Sequence, residues 1–139
     1  MRKEIIRTKI KEIEESLDLV KEHLPTDFEE FLNLGLVKDG IYKKIEFSIE
    51  NVFDICAIIN TDLKLGIPSS DEDIVDNLVK NGIQKKEMGK KLRLMKGFRN
   101  ILVHRYGKID DKLAFEVLKE NIGDFYDFIK GIGKFLESQ

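Results

Sequence analysis

Apolar residues recur at helical spacing through most of the chain. In the first segment they fall every three or four positions and stop near Pro25, which predicts one amphipathic helix with a single stripe. The stripe consists of Ile6, Ile10, Ile13, Leu17, Val20 and Leu24. Thr26 follows, with Glu29 three residues later, a spacing typical of a capping box. A short helix is therefore predicted over TDFEEFLN.

A second long helix is predicted from about Val37 to Thr61. Its apolar face is broad enough to touch two neighbouring helices. That face carries Ile41, Ile45, Ser48, Ile49, Val52, Phe53, Ile55, Cys56 and Ile59. Gly66 and Pro68 interrupt the pattern, after which Ser69 and Glu72 predict a second capping box. The short helix that begins there is expected to end at Asn81-Gly82.

The last third of the chain predicts two more helices. One runs from about Ile83 to Val103 on a stripe of Met88, Leu92, Met95 and Leu102. The other begins at Asp110, a favourable N-cap, and its seam is Leu118, Ile122, Phe125, Ile129, Ile132 and Leu136. No segment alternates as a strand would. We predict an all-α, antiparallel up-and-down bundle of four main helices plus one or two short ones, as a single domain over residues 1–139.

Composition narrows the class of protein. Hydrophobic residues are 42% and charged residues 36% of 139, as in folded globular domains. The single cysteine, Cys56, lies in an apolar run and is expected to pack in the core, so neither an internal disulfide nor a cysteine-based zinc site is expected. No secretory signal opens the chain, and no apolar run reaches about 18 residues. A cytoplasmic protein without membrane association is therefore expected.

Positive charge is concentrated in one helix. The stretch from Lys85 to Lys108 holds nine basic residues and one acid, a net charge of +8, whereas the whole chain carries −2. A basic stripe on an otherwise acidic protein is expected where a nucleic-acid backbone binds. It fits equally well a solvated helix face that pairs with acids elsewhere in the fold.

Arg99 interrupts the apolar stripe of this helix. A guanidinium is seldom buried without a partner, so Arg99 is expected to face a cleft, to pair with an acid such as Asp54 or Glu50, or to lie at a seam between helices or chains. Asn100 and His104 share a face if the helix persists. Arg99 and His104 diverge by about 140° on a regular helix. They converge only if the helix ends near 102 or if one comes from a symmetry-related chain.

Arg, Asn, His and Tyr within eight residues suit RNA cleavage. His104 can take the proton from a ribose 2′-hydroxyl, and Arg99 can stabilise the charge that develops on phosphorus. Asn100 can position a phosphate oxygen or the imidazole. No metal is needed, because the nucleophile belongs to the substrate. The same residues also fit an ordinary polar helix end, and the other histidine, His23, fits a solvated helix C-terminus.

The segment MKGFRNILVHRY, from Met95 to Tyr106, resembles the signature of HepT-type HEPN proteins. That signature is Arg, four residues, His, one residue and Tyr, here Arg99, His104 and Tyr106; Asn100 and Gly97 also match it. The resemblance implies a homodimer whose two motifs line one cleft, with Arg99 and His104 catalytic and Asn100 in support.

The resemblance also implies a partner and a modification. The partner would be an MNT-type nucleotidyltransferase antitoxin that transfers AMP to Tyr106. Lys96 and Arg105 are the candidates for RNA binding, and neither a cofactor nor a metal is expected. A polar residue of the second long helix is expected to face the motif, with Glu50, Asn51 and Asp54 left open.

The leading hypothesis is a metal-independent endoribonuclease toxin of a HEPN/MNT pair. The alternative is a non-enzymatic module that binds a nucleotide or a partner within a nucleotidyltransferase complex. A third possibility is a helical interaction protein whose motif is only a helix terminus.

Overall fold

The computed structural model describes residues 1–105 and 107–139, and within them the chain forms seven helices and no strand. The helices are α1 (Lys3–His23), α2 (Phe28–Leu32), α3 (Leu36–Asp62), α4 (Asp71–Lys80), α5 (Lys86–His104), α6 (Asp111–Asn121) and α7 (Gly123–Glu137). The predicted all-α bundle is confirmed. Its main members are α1, α3, α5 and the α6–α7 pair, and α2 and α4 are the short additions.

The α1–α3 pair forms the centre of the bundle. α1 packs along α3, and α3 also contacts α4 and α5, as its broad apolar face predicted. Ile6, Ile13 and Leu17 of α1 are fully buried. α1 ends at His23, close to Pro25, which has no N–H to continue the helical hydrogen bonding.

At both short helices the N-cap lies one residue after the predicted one. α2 begins at Phe28 with Asp27 as its N-cap, and no side chain caps it, so Thr26 and Glu29 do not form the predicted box. At α4 the N-cap is Ser70, whose hydroxyl accepts a hydrogen bond from the Asp73 amide at 3.2 Å. Adjacent serines followed by three acids offer two equivalent registers, and spacing alone does not distinguish them.

α5 begins three residues later than its apolar pattern predicted. α4 ends at Lys80, and Gly82 takes a positive φ of 74°. The amides of Ile83 and Gln84 then both donate to the carbonyl of Leu78, at 2.9 and 3.3 Å. These residues therefore close the end of α4, as glycine-centred C-caps do, and α5 starts at Lys86.

The predicted C-terminal helix is two helices, α6 and α7. Asp110 caps α6 as expected, accepting from the Leu113 amide at 3.2 Å. The interruption falls at Ile122, which keeps helical dihedrals, with Gly123 next to it. The apolar seam therefore continues across the break, and Leu118, Phe125, Ile132 and Leu136 are all buried. In the described parts of the chain, no helix combines the length and the apolar character that crossing a membrane requires.

Candidate functional site

The motif helix α5 remains regular through His104. The Arg105 amide donates to the Ile101 carbonyl at 3.0 Å, which closes its last turn. The possibility that the helix ends near 102 is therefore wrong. Arg99 and His104 stay about 140° apart around the axis, so a single chain directs them to different surfaces.

Arg99 faces α3 and pairs with Glu50. Its Nη2 lies 3.3 Å from Glu50 Oε1, and its Nη1 donates to Asn100 Oδ1 at 3.4 Å. About a third of the Arg99 side chain, 34%, remains exposed. The break in the apolar stripe is thus explained by an acid on the facing helix, one of the alternatives that the sequence left open.

The choice among the three polar residues of α3 is also resolved. Asp54 pairs with Lys9 of α1 at 3.3 Å rather than with Arg99. Asn51 is buried and donates to Glu12, also of α1, at 3.3 Å. Glu50 is therefore the one of these side chains that contacts the motif.

A small cleft of 160 Å³ lies in front of Arg99. Lys96 lines it as well, with its Nζ 3.9 Å from Asp71 Oδ2. The cleft therefore holds three carboxylates, those of Glu50, Asp54 and Asp71, which offset the positive charges of Arg99 and Lys96. The cleft is lined by Ile49, Glu50, Phe53, Asp54, Ala57, Asp71, Lys96 and Arg99.

The nine basic residues from Lys85 to Lys108 form two groups, those that pair with acids in the described part of the chain and those that do not. Four of the nine pair with acids: Arg99 and Lys96 as above, Lys91 with Asp127 at 2.9 Å, and Arg93 with Asp76. The other five form no ion pair with any residue that the structure describes. They lie towards the two ends of the stripe: Lys85, Lys86, Lys90, Arg105 and Lys108.

His104 and Arg105 are both exposed at the C-terminal end of α5. His104 lies one turn beyond Asn100 on the same side of the helix. The predicted modification residue, Tyr106, lies outside the described residues. His23 forms the helix end that the sequence predicted, with its Nδ1 2.9 Å from the Leu19 carbonyl oxygen.

An apolar groove runs between α5 and the α6–α7 pair. Its volume is 340 Å³, and Leu94 and Leu113 are 66% and 49% exposed on it. Leu94, Gly97 and Ile101 line the groove from α5. Their spacing continues to His104, so an exposed apolar stripe leads directly to the motif histidine.

A polar cluster beside the motif was not predicted from the sequence. Tyr42 Oη of α3 donates to Asp111 Oδ1 at 2.6 Å, and Lys38 Nζ donates to Asp111 Oδ2 at 2.8 Å. The buried Tyr42 hydroxyl needs a partner, but that partner lies 69 positions further along the chain. Burial raises the pKa of Tyr42, and the hydrogen bond to Asp111 adds to this rise. For Asp111, burial acts upward, but the bonds from Lys38 and Tyr42 hold its pKa below the ordinary value.

Within residues 1–105 and 107–139, no three His, Cys, Asp or Glu side chains are grouped suitably for a metal ion. Cys56 is fully buried, and burial raises the pKa of its thiol.

The sequence matches a family model described as Ribonuclease HepT-like over residues 13–132. It is 31% identical to a protein of Archaeoglobus fulgidus named "Putative RNase", over 99% of this chain and 97% of that protein. It is also 30% identical to the mRNA nuclease HepT of Shewanella oneidensis, over 67% of this chain and 70% of that one.

Solved structures show the same architecture. The tri-AMPylated HEPN toxin of Shewanella oneidensis, in complex with an MNT antitoxin, has a TM-score of 0.85 and 28% identity to this chain. The likeness covers 94% of this chain and 97% of that one. A toxin–antitoxin structure with AMP-PNP gives a TM-score of 0.83 at 27% identity, covering 92% of this chain and 97% of that one.

Proposed function

Because this chain belongs to the HepT-like ribonuclease family, we propose that it is the toxin of a HEPN/MNT pair and cleaves RNA without a metal ion. His104 takes the proton from a ribose 2′-hydroxyl, and the resulting oxyanion attacks the adjacent phosphorus. Arg99 stabilises the charge on the phosphorane oxygens, and Asn100 holds a phosphate oxygen. The bond from phosphorus to the 5′-oxygen breaks, that oxygen takes a proton from water, and the products are a 2′,3′-cyclic phosphate and a 5′-hydroxyl end. Such a toxin acts in the cytoplasm, where its RNA targets lie.

The observation that carries this proposal is the continuity of α5 through His104. One chain cannot direct both Arg99 and His104 into the same cleft, whereas a two-fold dimer can pair Arg99 of one copy with His104 of the other. Asn100 lies between Arg99 and His104 around the axis of α5, so we place the second copy on this face of the helix.

Substrate binding requires a change of partner at Arg99. In the isolated chain its guanidinium contacts Glu50, and a phosphate must replace or share that contact. The exposed Arg105, next to His104, can neutralise a further phosphate. Lys96 can do so only when it releases Asp71, because the two lie within ion-pair distance.

Control by an antitoxin follows from the same family. The Shewanella relative is tri-AMPylated and in complex with an MNT antitoxin. For this chain we propose Tyr106 as the acceptor of AMP, two residues beyond His104. An adenylylated tyrosine there would add bulk and negative charge, which repel an RNA phosphate.

The central experiment compares wild type with His104→Ala on structured and unstructured RNA in EDTA, followed by end-group analysis. We expect wild type to yield 2′,3′-cyclic phosphate ends and His104→Ala to lose about 10²–10⁴-fold in rate. His23→Ala is the matched control, because His23 is also an exposed histidine at a helix end. Cleavage that stops on chelation, or persists in His104→Ala, would contradict the proposal.

The acids around Arg99 favour a second candidate, a non-enzymatic module of a nucleotidyltransferase complex. Three carboxylates line the cleft, and they repel a polyanion in the absence of a partner. A purified chain that binds its nucleotidyltransferase tightly and leaves every tested RNA intact would assign it to this second role.

A further inference from the structure

The segment that follows the motif histidine is tied to α3 at its far end. Residues 105–110 join His104, the last residue of α5, to Asp111, the first residue of α6. Both oxygens of Asp111 accept hydrogen bonds from α3 side chains, at 2.6 Å from Tyr42 and 2.8 Å from Lys38. The near end is fixed by the bond of the Arg105 amide to Ile101, and the Lys108 amide donates to the Arg105 carbonyl at 2.8 Å.

The carboxylate of Asp111 is not needed to start α6. Asp110 is the N-cap and already accepts from the Leu113 amide. Tyr42 also packs its ring on Phe31, with centroids 5.9 Å apart, so its hydroxyl is not what holds the ring in the core. The three polar groups are therefore additional to the capping and packing that form these helices.

The same helix contacts Arg99 and the anchor of the segment after His104. α3 reaches Arg99 through Glu50, and it reaches Asp111, at the far end of that segment, through Lys38 and Tyr42. Tyr42 and Glu50 lie about 12 Å apart along the axis of that continuous helix. One rigid element can therefore set the position of Arg99 and of the residue that anchors the segment after His104.

From this geometry we infer that Lys38, Tyr42 and Asp111 are positioning residues that hold the segment after His104 in place for catalysis. The cluster also lines a 250 Å³ cavity with Gly107 and Ile109 of that segment and with Asp39 of α3. The inference rests on the proposed ribonuclease function. A misplacement of about 1 Å in an active site can cost up to about 10²-fold in rate, which is the mechanism by which the cluster acts.

The test uses Asp111→Asn and Tyr42→Phe, which remove a charge or a hydroxyl and keep the shape of the side chain. Asp62→Asn is the matched control, because Asp62 also joins two elements, accepting from the Arg2 guanidinium at 2.8 Å and the Arg2 amide at 2.9 Å. Two quantities are measured well below the melting temperature: kcat and KM for RNA cleavage, and the rate of tryptic cutting after Arg105 and Lys108, followed by mass spectrometry.

We expect both variants to cut at least about tenfold faster at Arg105 and Lys108, and to lose at least about tenfold in kcat with KM nearly constant. Asp62→Asn should match wild type in both measurements. Unchanged tryptic cutting at this segment would overturn the inference. Faster cutting in variants whose kcat equals that of Asp62→Asn would also overturn it, because the cluster would then hold the segment without serving catalysis.

The proteolysis does not depend on RNA cleavage, so the two proposals fail separately. If wild type cleaves no RNA, the ribonuclease proposal has failed. The tryptic comparison alone then decides whether the cluster holds this segment.

Discussion

Single side chains were predictable where their role depended on local spacing. His23 at a helix end, Cys56 in the core and Asp110 as an N-cap all follow from neighbours in sequence, and the structure confirms them. For Arg99 the sequence leaves open a cleft, an acid such as Glu50 or Asp54, and a seam between helices or chains. Glu50 and Asp54 both lie on α3, and only the packing of α1 assigns Asp54 to Lys9.

Asp111 gives the protein an acid-sensitive contact. Its pKa is lowered in the folded chain because Lys38 and Tyr42 outweigh the effect of burial. A carboxylate with a lowered folded pKa stabilises the fold above its unfolded pKa, near 4, and loses that contribution as the pH falls further. We therefore expect the melting temperature of Asp111→Asn to fall less steeply below about pH 4 than that of wild type.

That comparison has its own control at Lys43→Ala. Lys43 is exposed and pairs with Glu46 on the surface of α3, and it makes no contact with Asp111. The melting temperature of Lys43→Ala should fall below about pH 4 as steeply as that of wild type. An Asp111→Asn curve that also overlays wild type throughout the acid range would show that Asp111 is not linked to stability.

Arg99→Lys tests what the guanidinium supplies. Lysine keeps the positive charge but loses the planar fork that can contact two phosphate oxygens together. We expect cleavage to slow by about 10–10³-fold, as when one transition-state donor is lost, with RNA affinity changed far less. Arg93→Lys, at a surface pair with Asp76, is the control. Equal rates for wild type and Arg99→Lys would exclude a bidentate contact at that position.

At the scale of elements, the sequence predicted the stripes better than the boundaries. The buried positions of α1, α3 and α5 repeat every three or four residues, and burial of a stripe is a property of the whole helix. Boundaries depend on one or two hydrogen bonds, as at Ser70 and at Leu78. Near-equivalent donors and acceptors lie one residue away, so local spacing leaves the register undecided.

The contact between α4 and α5 depends on Gly89. A Cβ added there would lie 2.9 Å from Val79 Cγ2, and valine has little rotamer freedom with which to yield. We expect Gly89→Ala to destabilise the fold by about 1–2 kcal/mol, as overpacking outweighs the gain in helix propensity. Chemical denaturation measures this change.

The matched variant is Gly40→Ala in α3, where a Cβ meets nothing within 4 Å. There the same substitution should stabilise by up to about 1 kcal/mol, because only the backbone propensity changes. If both alanine variants shift stability in the same direction, the close approach at Gly89 does not limit the packing of these helices.

At the scale of the molecule, the sequence predicted the bundle and most of its core. The candidate site was less predictable, because it depends on contacts across tens of residues and, in our proposal, on a second chain. The basic stripe of α5 was visible in the sequence, but the acids that pair with four of its members come from α3, α4 and α7. The net charge of the Lys85–Lys108 stretch therefore overstates how positive the surface of α5 is in the folded chain.

Mixing two inactive variants tests the shared site directly. Arg99→Ala and His104→Ala each lack one member of the pair, but a mixed dimer contains one intact pair if the residues meet across the two-fold axis. After co-expression in equal amounts we expect about a quarter of wild-type activity, since half of the dimers are mixed and each holds one site. A mixture as inactive as its components would place both residues of the site in one chain.

Because Cys56 is completely buried, the rate at which its thiol reacts with a reagent measures how often the fold opens. Its side chain has no exposed area, and it is the single thiol of the chain. A thiol-specific reagent can modify it only in molecules whose core has opened, so the labelling rate reports the frequency of opening without an introduced cysteine. Comparing that rate with and without a bound partner would measure how strongly assembly closes the core, in the native sequence and at neutral pH.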